Sequence, residues 1–140
     1  MAMNRLKIQK FRTNDLVDDG GKQFEVGRSW CDDFFLIPQE VEKANISLTF
    51  KPLCSKHKDL EGTKIDLLLS NVNTRGDRKA YASEGNCSAI KDFFLHKLHL
   101  SIDENLSDYF AVYKADKGDY FLFYVPKLLY DNFIDRKSVV

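Results

Sequence analysis

The feature that most constrains this fold is a set of short segments in which apolar and polar residues alternate with period two. Residues 5–11 and 46–50 alternate in this way, and residues 109–114 and 120–125 flank a short Gly-containing turn. Such alternation is typical of half-buried strands, and a Gly-containing turn joins two strands as a hairpin. The chain is therefore predicted to build a sheet around a buried face.

Further strands are predicted where apolar residues cluster between polar loops. Strand character resumes at Phe24 and Val26 and again at residues 34–37. Residues 65–72 form a nearly continuous apolar stretch, which is typical of a strand covered on both faces. A short strand is expected at residues 80–82.

Two helices interrupt these strands, and a helical turn is expected at residues 127–133. Pro38 suits the first turn of a short helix over residues 39–45, because a proline N–H is not needed there. Residues 88–100 form the second helix, with Ser88 as its N-cap. The predicted buried face of this helix, spaced i, i+3, i+4 and i+8, comprises Ile90, Phe93, Phe94 and Leu98.

Strands with hairpin connections and only two main helices favour an α+β or mostly β fold with an antiparallel or mixed, barrel-like sheet. The 140 residues are expected to form a single domain, residues 1–140. The start Met1-Ala2-Met3 resembles a cloning scar, so we expect the chain to be a fragment of a longer protein.

The charge balance excludes one class of protein. Basic and acidic residues number 21 each, so the formal net charge is zero, which counts against a non-specific nucleic-acid binder with a wholly basic surface. It leaves open a domain whose cations are concentrated in a few loops. Three widely spaced cysteines argue against a disulfide scaffold and favour a cytoplasmic protein. No apolar run is long enough to span a membrane.

A zinc site is one alternative that the sequence raises. Cys54 and His57, with His96 and His99, have the spacing of zinc ligands. The simpler interpretation is a small buried thiol and partly exposed helix histidines, so no metal and no cofactor are expected.

A small metal-dependent nuclease is the second alternative. Asp66, Asp77 and Lys79 resemble a pair of metal-binding carboxylates with a positioning lysine. Residues 135–137 match the same short pattern, and 30% of the chain is charged, so the pattern has little specificity. This domain is therefore expected to have no catalytic residues of its own.

Two polar loops remain, and their residue types are those that DNA recognition requires. Arginine pairs with guanine, asparagine and glutamine with adenine, and aspartate with cytosine, while lysine and threonine hold phosphates. The first loop contains Arg12, Thr13, Asn14, Asp15, Lys22 and Gln23. The second contains Asn73, Thr74, Arg75, Arg78 and Lys79, with Tyr81 just beyond. On composition alone, these loops fit plain surface loops equally well.

The order of elements and the two loops resemble the B3-like DNA-binding pseudobarrel of plant transcription factors and of specificity domains of bacterial restriction endonucleases. Residues 10–15 followed by residues 20–23 are similar to the N-arm of the endonuclease members, and residues 35–38 to their strand-to-helix entry. Residues 74–79 resemble the basic C-arm. The segment between the N-arm and the entry is longer here, which leaves the placement of Arg28 and Trp30 open.

The resemblance implies a seven-stranded open pseudobarrel with two helices, in which both arms read the major groove of duplex DNA. It implies a target-recognition module of a restriction endonuclease, with cleavage supplied by a catalytic nuclease domain or subunit. The residues expected at base edges are Arg12, Asn14, Asp15, Arg75 and Arg78. Those expected at phosphates or in loop positioning are Thr13, Lys22, Gln23, Asn73, Thr74 and Lys79. A protein-interaction domain that binds no nucleic acid is the third alternative.

Overall fold

The computed structural model describes residues 5–17, 24–71, 78–80 and 88–139, with the backbone alone at residues 71, 78–80 and 134–139. The strands are β1 Leu6–Lys10, β2 Phe24–Val26, β3 Lys43–Phe50, β4 Lys64–Asn71, β5 Arg78–Ala80, β6 Tyr109–Lys114 and β7 Tyr120–Val125. Five longer strands form a mixed sheet in the order β1-β6-β7-β3-β4, and the three-residue strands β5 and β2 extend its β4 edge. The β3–β7 pair is parallel and the other pairs are antiparallel. The expected α+β class with an open sheet is confirmed.

Short helical segments fill the connections between the strands. The helices are α1 Ala89–Asp92, which continues as the π-helical turn Phe93–Lys97, α2 Ile102–Asn105 and α3 Lys127–Val139. Further turns are the 3-10 helices Thr13–Leu16 and Ser55–Leu60 and the π-helical turn Ser29–Phe34. In the described part of the chain, no helix is long and apolar enough to cross a membrane.

Aromatic side chains dominate the core between the sheet and the helices. Phe110 of β6 stacks against Trp30, with ring centroids 5.6 Å apart and an interplanar angle of 18°. Phe94 contacts Phe11, Phe24 and Phe110 at centroid distances of 5.0, 6.1 and 5.6 Å. Edge-to-face and offset contacts of this kind stabilise a core beyond the burial of their area. The buried face predicted for the second helix is confirmed by Ile90, Phe93, Phe94 and Leu98.

The strand predicted at residues 34–37 and the helix predicted at residues 39–45 are wrong. The aromatic run ends a π-helical turn, in which Trp30, Cys31 and Phe34 face the core, and β3 begins at Lys43. Leu36 then takes φ 58°, a left-handed conformation that ends the turn as a glycine usually does. A short apolar run fits a buried helical turn or a strand, and core packing decided between them.

The second loop is shorter than predicted. Arg78 and Lys79 belong to β5, which ends at Ala80, whereas the sequence predicted a strand at residues 80–82. β5 lies between β4 and β2, and two rows of backbone hydrogen bonds outweigh the weak strand preference of charged residues.

The hairpin between β6 and β7 is confirmed at its turn. Gly118 has φ 84°, and its N–H donates to the Ala115 carbonyl over 3.1 Å. Only glycine adopts this left-handed conformation without strain, so the turn fixes the register of the two strands.

The other face of β1, β6 and β7 is also apolar, and α3 covers part of it. Tyr130 of α3 stacks on Tyr109 of β6, with ring centroids 3.9 Å apart. A groove of about 310 Å³ remains between α3 and the sheet. Its lining comprises Leu6, Ile8, Leu53, Ala111, Phe123, Val125, Leu129, Tyr130 and Phe133.

Candidate nucleic-acid interface

The β2–β5 ladder joins the ends of the two polar loops. The first loop returns to the sheet at Phe24, which pairs with Ala80, and the second returns at Arg78, which pairs with Val26. Two residues of strand separate these positions, or about 7 Å, and because the strands are antiparallel the two loops leave opposite ends of the ladder.

The base of the first loop is a 3-10 turn anchored in the core. Leu16 is buried, and the Phe11 N–H donates to the Asp108 carbonyl over 3.0 Å. Between these anchors, Thr13 and Asn14 lie exposed on the turn Thr13–Leu16. Both polar side chains are therefore presented to solvent from a fixed backbone.

Asp15 is placed differently from the other loop residues. Its side chain is only 1% exposed, and its oxygens accept three hydrogen bonds from Arg12. The donor atoms are the backbone N at 2.9 Å, Nε at 3.3 Å and Nη2 at 3.2 Å. Burial raises the pKa of Asp15, and the neighbouring Arg12 opposes that rise. A carboxylate enclosed in this way does not reach a base edge, so its placement does not support the expected base contact.

Arg12 joins the two strands that flank the first loop. Its Nη2 donates to the Glu25 carbonyl of β2, and the guanidinium carbon lies 5.8 Å from the centre of the Phe24 ring. The Arg12 side chain is still 43% exposed. Arg12 therefore closes the base of the loop while keeping part of its guanidinium at the surface.

The other expected contact residues fall into two groups. Residues 22, 23, 73–75 and 81 lie outside the described residues, namely Lys22, Gln23, Asn73, Thr74, Arg75 and Tyr81. For Arg78 and Lys79 the structure describes the backbone alone, and they are the first two residues of β5.

Trp30 belongs to the core, and Arg28 lies at the surface. Trp30 is 5% exposed, its Nε1 donates to Gln9 Oε1, and Lys7 Nζ lies 5.3 Å from the ring centre. Arg28 Nε lies 3.4 Å from Asp32 Oδ2, one helical turn away. The Trp30 ring is thus unavailable for stacking on a base.

The described residues do not bring the proposed nuclease groups together. Asp66 is exposed on β4, and position 79 pairs with Ser70, four residues further along that strand, or about 13 Å away. Asp77 lies outside the described residues.

The histidines with the spacing of zinc ligands lie in different environments. His57 is buried between Phe50 and Tyr124, with ring centroids 6.4 and 5.6 Å away, whereas His96 and His99 are exposed. Within the described ranges, no three His, Cys, Asp or Glu side chains converge as a metal site.

Sequence reasoning missed Lys91, which is 1% exposed and whose charge lowers the pKa of Asp15. The sequence did contain a sign of this burial. Residue 91 precedes the buried residues Phe94 and Leu98 by three and seven positions, which places it on the same helical face. Lysine at such a position is almost always paired.

No protein-family model matches the chain, and no curated protein matches it either.

Proposed function

We propose that this chain is a sequence-specific duplex-DNA-binding domain of B3-like type, which grips the major groove with the loops at residues 12–23 and 73–81. The observation that supports the proposal is the β2–β5 ladder, because the two loops leave the sheet from its opposite ends, about 7 Å apart along the strand. The open mixed sheet, with helical segments before β3 and after β5, supports the pseudobarrel assignment.

The distribution of charge supports the second loop more than the first. Residues 73–81 contain three basic residues and one acidic residue, whereas residues 12–23 contain two basic and three acidic residues. A domain with zero net charge binds a polyanion only where its cations are concentrated and its anions are turned inward. At the base of the first loop the acid, Asp15, is buried, while Arg12 remains 43% exposed. Neutral Thr13 and Asn14 are the exposed residues beside it.

We propose the following roles for the residues of the two loops. Arg75, Arg78 and Asn14 contact base edges, and Arg12 contributes its exposed edge. Thr13, Lys22, Gln23, Asn73, Thr74 and Lys79 hold phosphates or position the loops, with Tyr81 beside them. Asp15, which the sequence predicted to contact a base, is now proposed to position the first loop.

The proposed context is a bacterial restriction endonuclease, in which this domain recognises the target and a catalytic nuclease domain or subunit cuts it. The domain itself then has no catalytic residues and no cofactor. The proposed compartment is the cytoplasm, where Cys31 and Cys54, which form no disulfide among the described residues, stay reduced.

Selection from a pool of random duplexes tests this function. We expect the immobilised chain to enrich one short motif and to bind it about a thousandfold more tightly than random duplex at the same salt concentration. Lys22→Ala and Lys79→Ala should weaken cognate and random binding alike and reduce the salt slope by about 1 each. Lys117→Ala, on the exposed β6–β7 turn, is the control and should change neither.

Two other outcomes would overturn the proposal. No binding to any duplex at low salt would favour a protein-interaction domain. Plasmid nicking in magnesium that is lost in Asp77→Ala would favour the nuclease.

A further inference from the structure

Asp15 interacts with two cations from different parts of the chain. Arg12, at the base of the first loop, donates three hydrogen bonds to it. Lys91 belongs to α1, which begins shortly after the second loop, and its charge acts on the same carboxylate. Asp15 and Lys91 are each 1% exposed, so water screens their interaction weakly.

Arg12 extends this cluster to β2. The chain leaves for the first loop after residue 12 and has returned by residue 25, where Arg12 Nη2 donates to the backbone carbonyl of Glu25. The two bonds that Nε and Nη2 donate to Asp15 fix the direction of the guanidinium, because its donors form a rigid planar fork. The departing and returning ends of the loop are thereby held together.

Arg12 uses both oxygens of the Asp15 carboxylate. Oδ2 accepts from the backbone N and Nε, and Oδ1 accepts from Nη2. Burial raises the pKa of Asp15, and the Arg12 charge and hydrogen bonds oppose that rise. The carboxylate therefore orients the Arg12 side chain.

We propose that Asp15 is a positioning residue for DNA recognition, which holds the base of the first loop on β2 through Arg12. This inference rests on the proposed DNA-binding function. A loop with a fixed base loses less conformational freedom when it binds, and the affinity rises accordingly.

Asp15→Asn tests the inference with little change of shape. The amide oxygen of the variant can accept two of the three bonds, but its NH₂ group faces a donor of Arg12 in place of the third. Arg5→Met is a matched control, because Arg5 also joins a carboxylate, Asp116 Oδ1 at 2.7 Å, to a backbone carbonyl, that of Lys114 at 3.3 Å.

The first measurement is amide hydrogen exchange of the whole chain without DNA. At a similar unfolding midpoint, Asp15→Asn should exchange faster in residues 11–16 and 24–26, while Arg5→Met leaves these segments unchanged. Unchanged exchange in Asp15→Asn would overturn the inference.

The second measurement is a titration with the duplex that the wild-type chain selects. Asp15→Asn should bind it about tenfold more weakly, with the salt slope unchanged, because the loop is less ordered but no phosphate contact is lost. A purely structural role would lower the unfolding midpoint and leave the affinity of the folded chain intact. Arg12→Lys keeps the charge and should also exchange faster in residues 11–16 and 24–26 without DNA, even if Asp15→Asn does not fold, because an ammonium cannot span Asp15 and Glu25.

The two proposals fail separately. Wild-type binding that Asp15→Asn and Arg12→Lys both retain would overturn only the positioning role. A wild-type chain that binds no duplex would overturn the proposed function, and the positioning role with it.

Discussion

The hydroxyl of Tyr124 donates a hydrogen bond of 2.6 Å to Oδ2 of Asp108 and so ties β7 to the segment before β6. Asn105 Nδ2 donates to the same oxygen over 3.0 Å. Asp108 Oδ1 accepts the backbone N–H of Lys127, at the first residue of α3, over 2.8 Å. One buried carboxylate therefore holds the hairpin, α2 and the start of α3 in a common arrangement.

Tyr124→Phe is expected to lower the free energy of unfolding by about 1–3 kcal/mol, because a buried carboxylate oxygen loses its shortest hydrogen bond. The measurement is urea unfolding at neutral pH. Tyr113→Phe is the control, since Tyr113 is 38% exposed, and its effect should be close to zero. Equal stability of the two variants would show that the Asp108 network does not support the fold.

His57 should make the fold sensitive to mild acid. Burial lowers the pKa of His57 below its usual 6.5, and the charges of Lys56 and His99 act in the same direction. The unfolded chain then binds the proton more tightly than the folded chain, so stability should fall as the pH drops below about 6.5.

His57→Gln removes this titrating group and is the variant to compare. Its stability difference from the wild-type chain should be smaller at pH 5 than at pH 7.5, as measured by urea unfolding. A difference that stays constant or grows at pH 5 would contradict a buried neutral histidine.

Asp15 should have the opposite effect to His57 on the pH dependence of stability. Burial raises its pKa above 3.8, so the folded chain binds the proton more tightly than the unfolded chain does. The wild-type chain should therefore gain stability relative to Asp15→Asn as the pH falls through the folded pKa towards 3.8. Urea unfolding of both chains at pH 7 and pH 4 measures this change, and a relative loss at pH 4 would contradict it.

Sequence periodicity correctly predicted the elements whose spacing of apolar residues is compatible with only one kind of secondary structure. The alternation of β3, β6 and β7 and the helical spacing of Ile90, Phe93, Phe94 and Leu98 define buried faces whatever the rest of the chain does. The strand predicted at residues 34–37 was wrong because a short aromatic run is compatible with either a strand or a π-helical turn. The contacts of Phe34 and Phe35 with Trp30 favour the turn.

The candidate site was predictable in composition but not in geometry. The polar types of residues 12–15 mark a loop, but nothing in their order shows that Asp15 turns inward to Arg12. The Arg12 side chain that encloses Asp15 is held by the backbone carbonyl of Glu25, which is distant in sequence and is placed by the fold. The pairing of β2 with β5, which places the two loops at opposite ends of one short ladder, is equally a long-range property.

The most direct test of the DNA-binding account is a gel-shift titration at fixed salt with the duplex that the wild-type chain selects. Arg75→Ala and Arg78→Ala should each weaken cognate binding by about 1–3 kcal/mol and relax base preference at one position, if these arginines contact base edges. Arg5→Ala, outside both loops, should leave the affinity unchanged. Cognate affinity that survives both substitutions would contradict DNA recognition by the second loop.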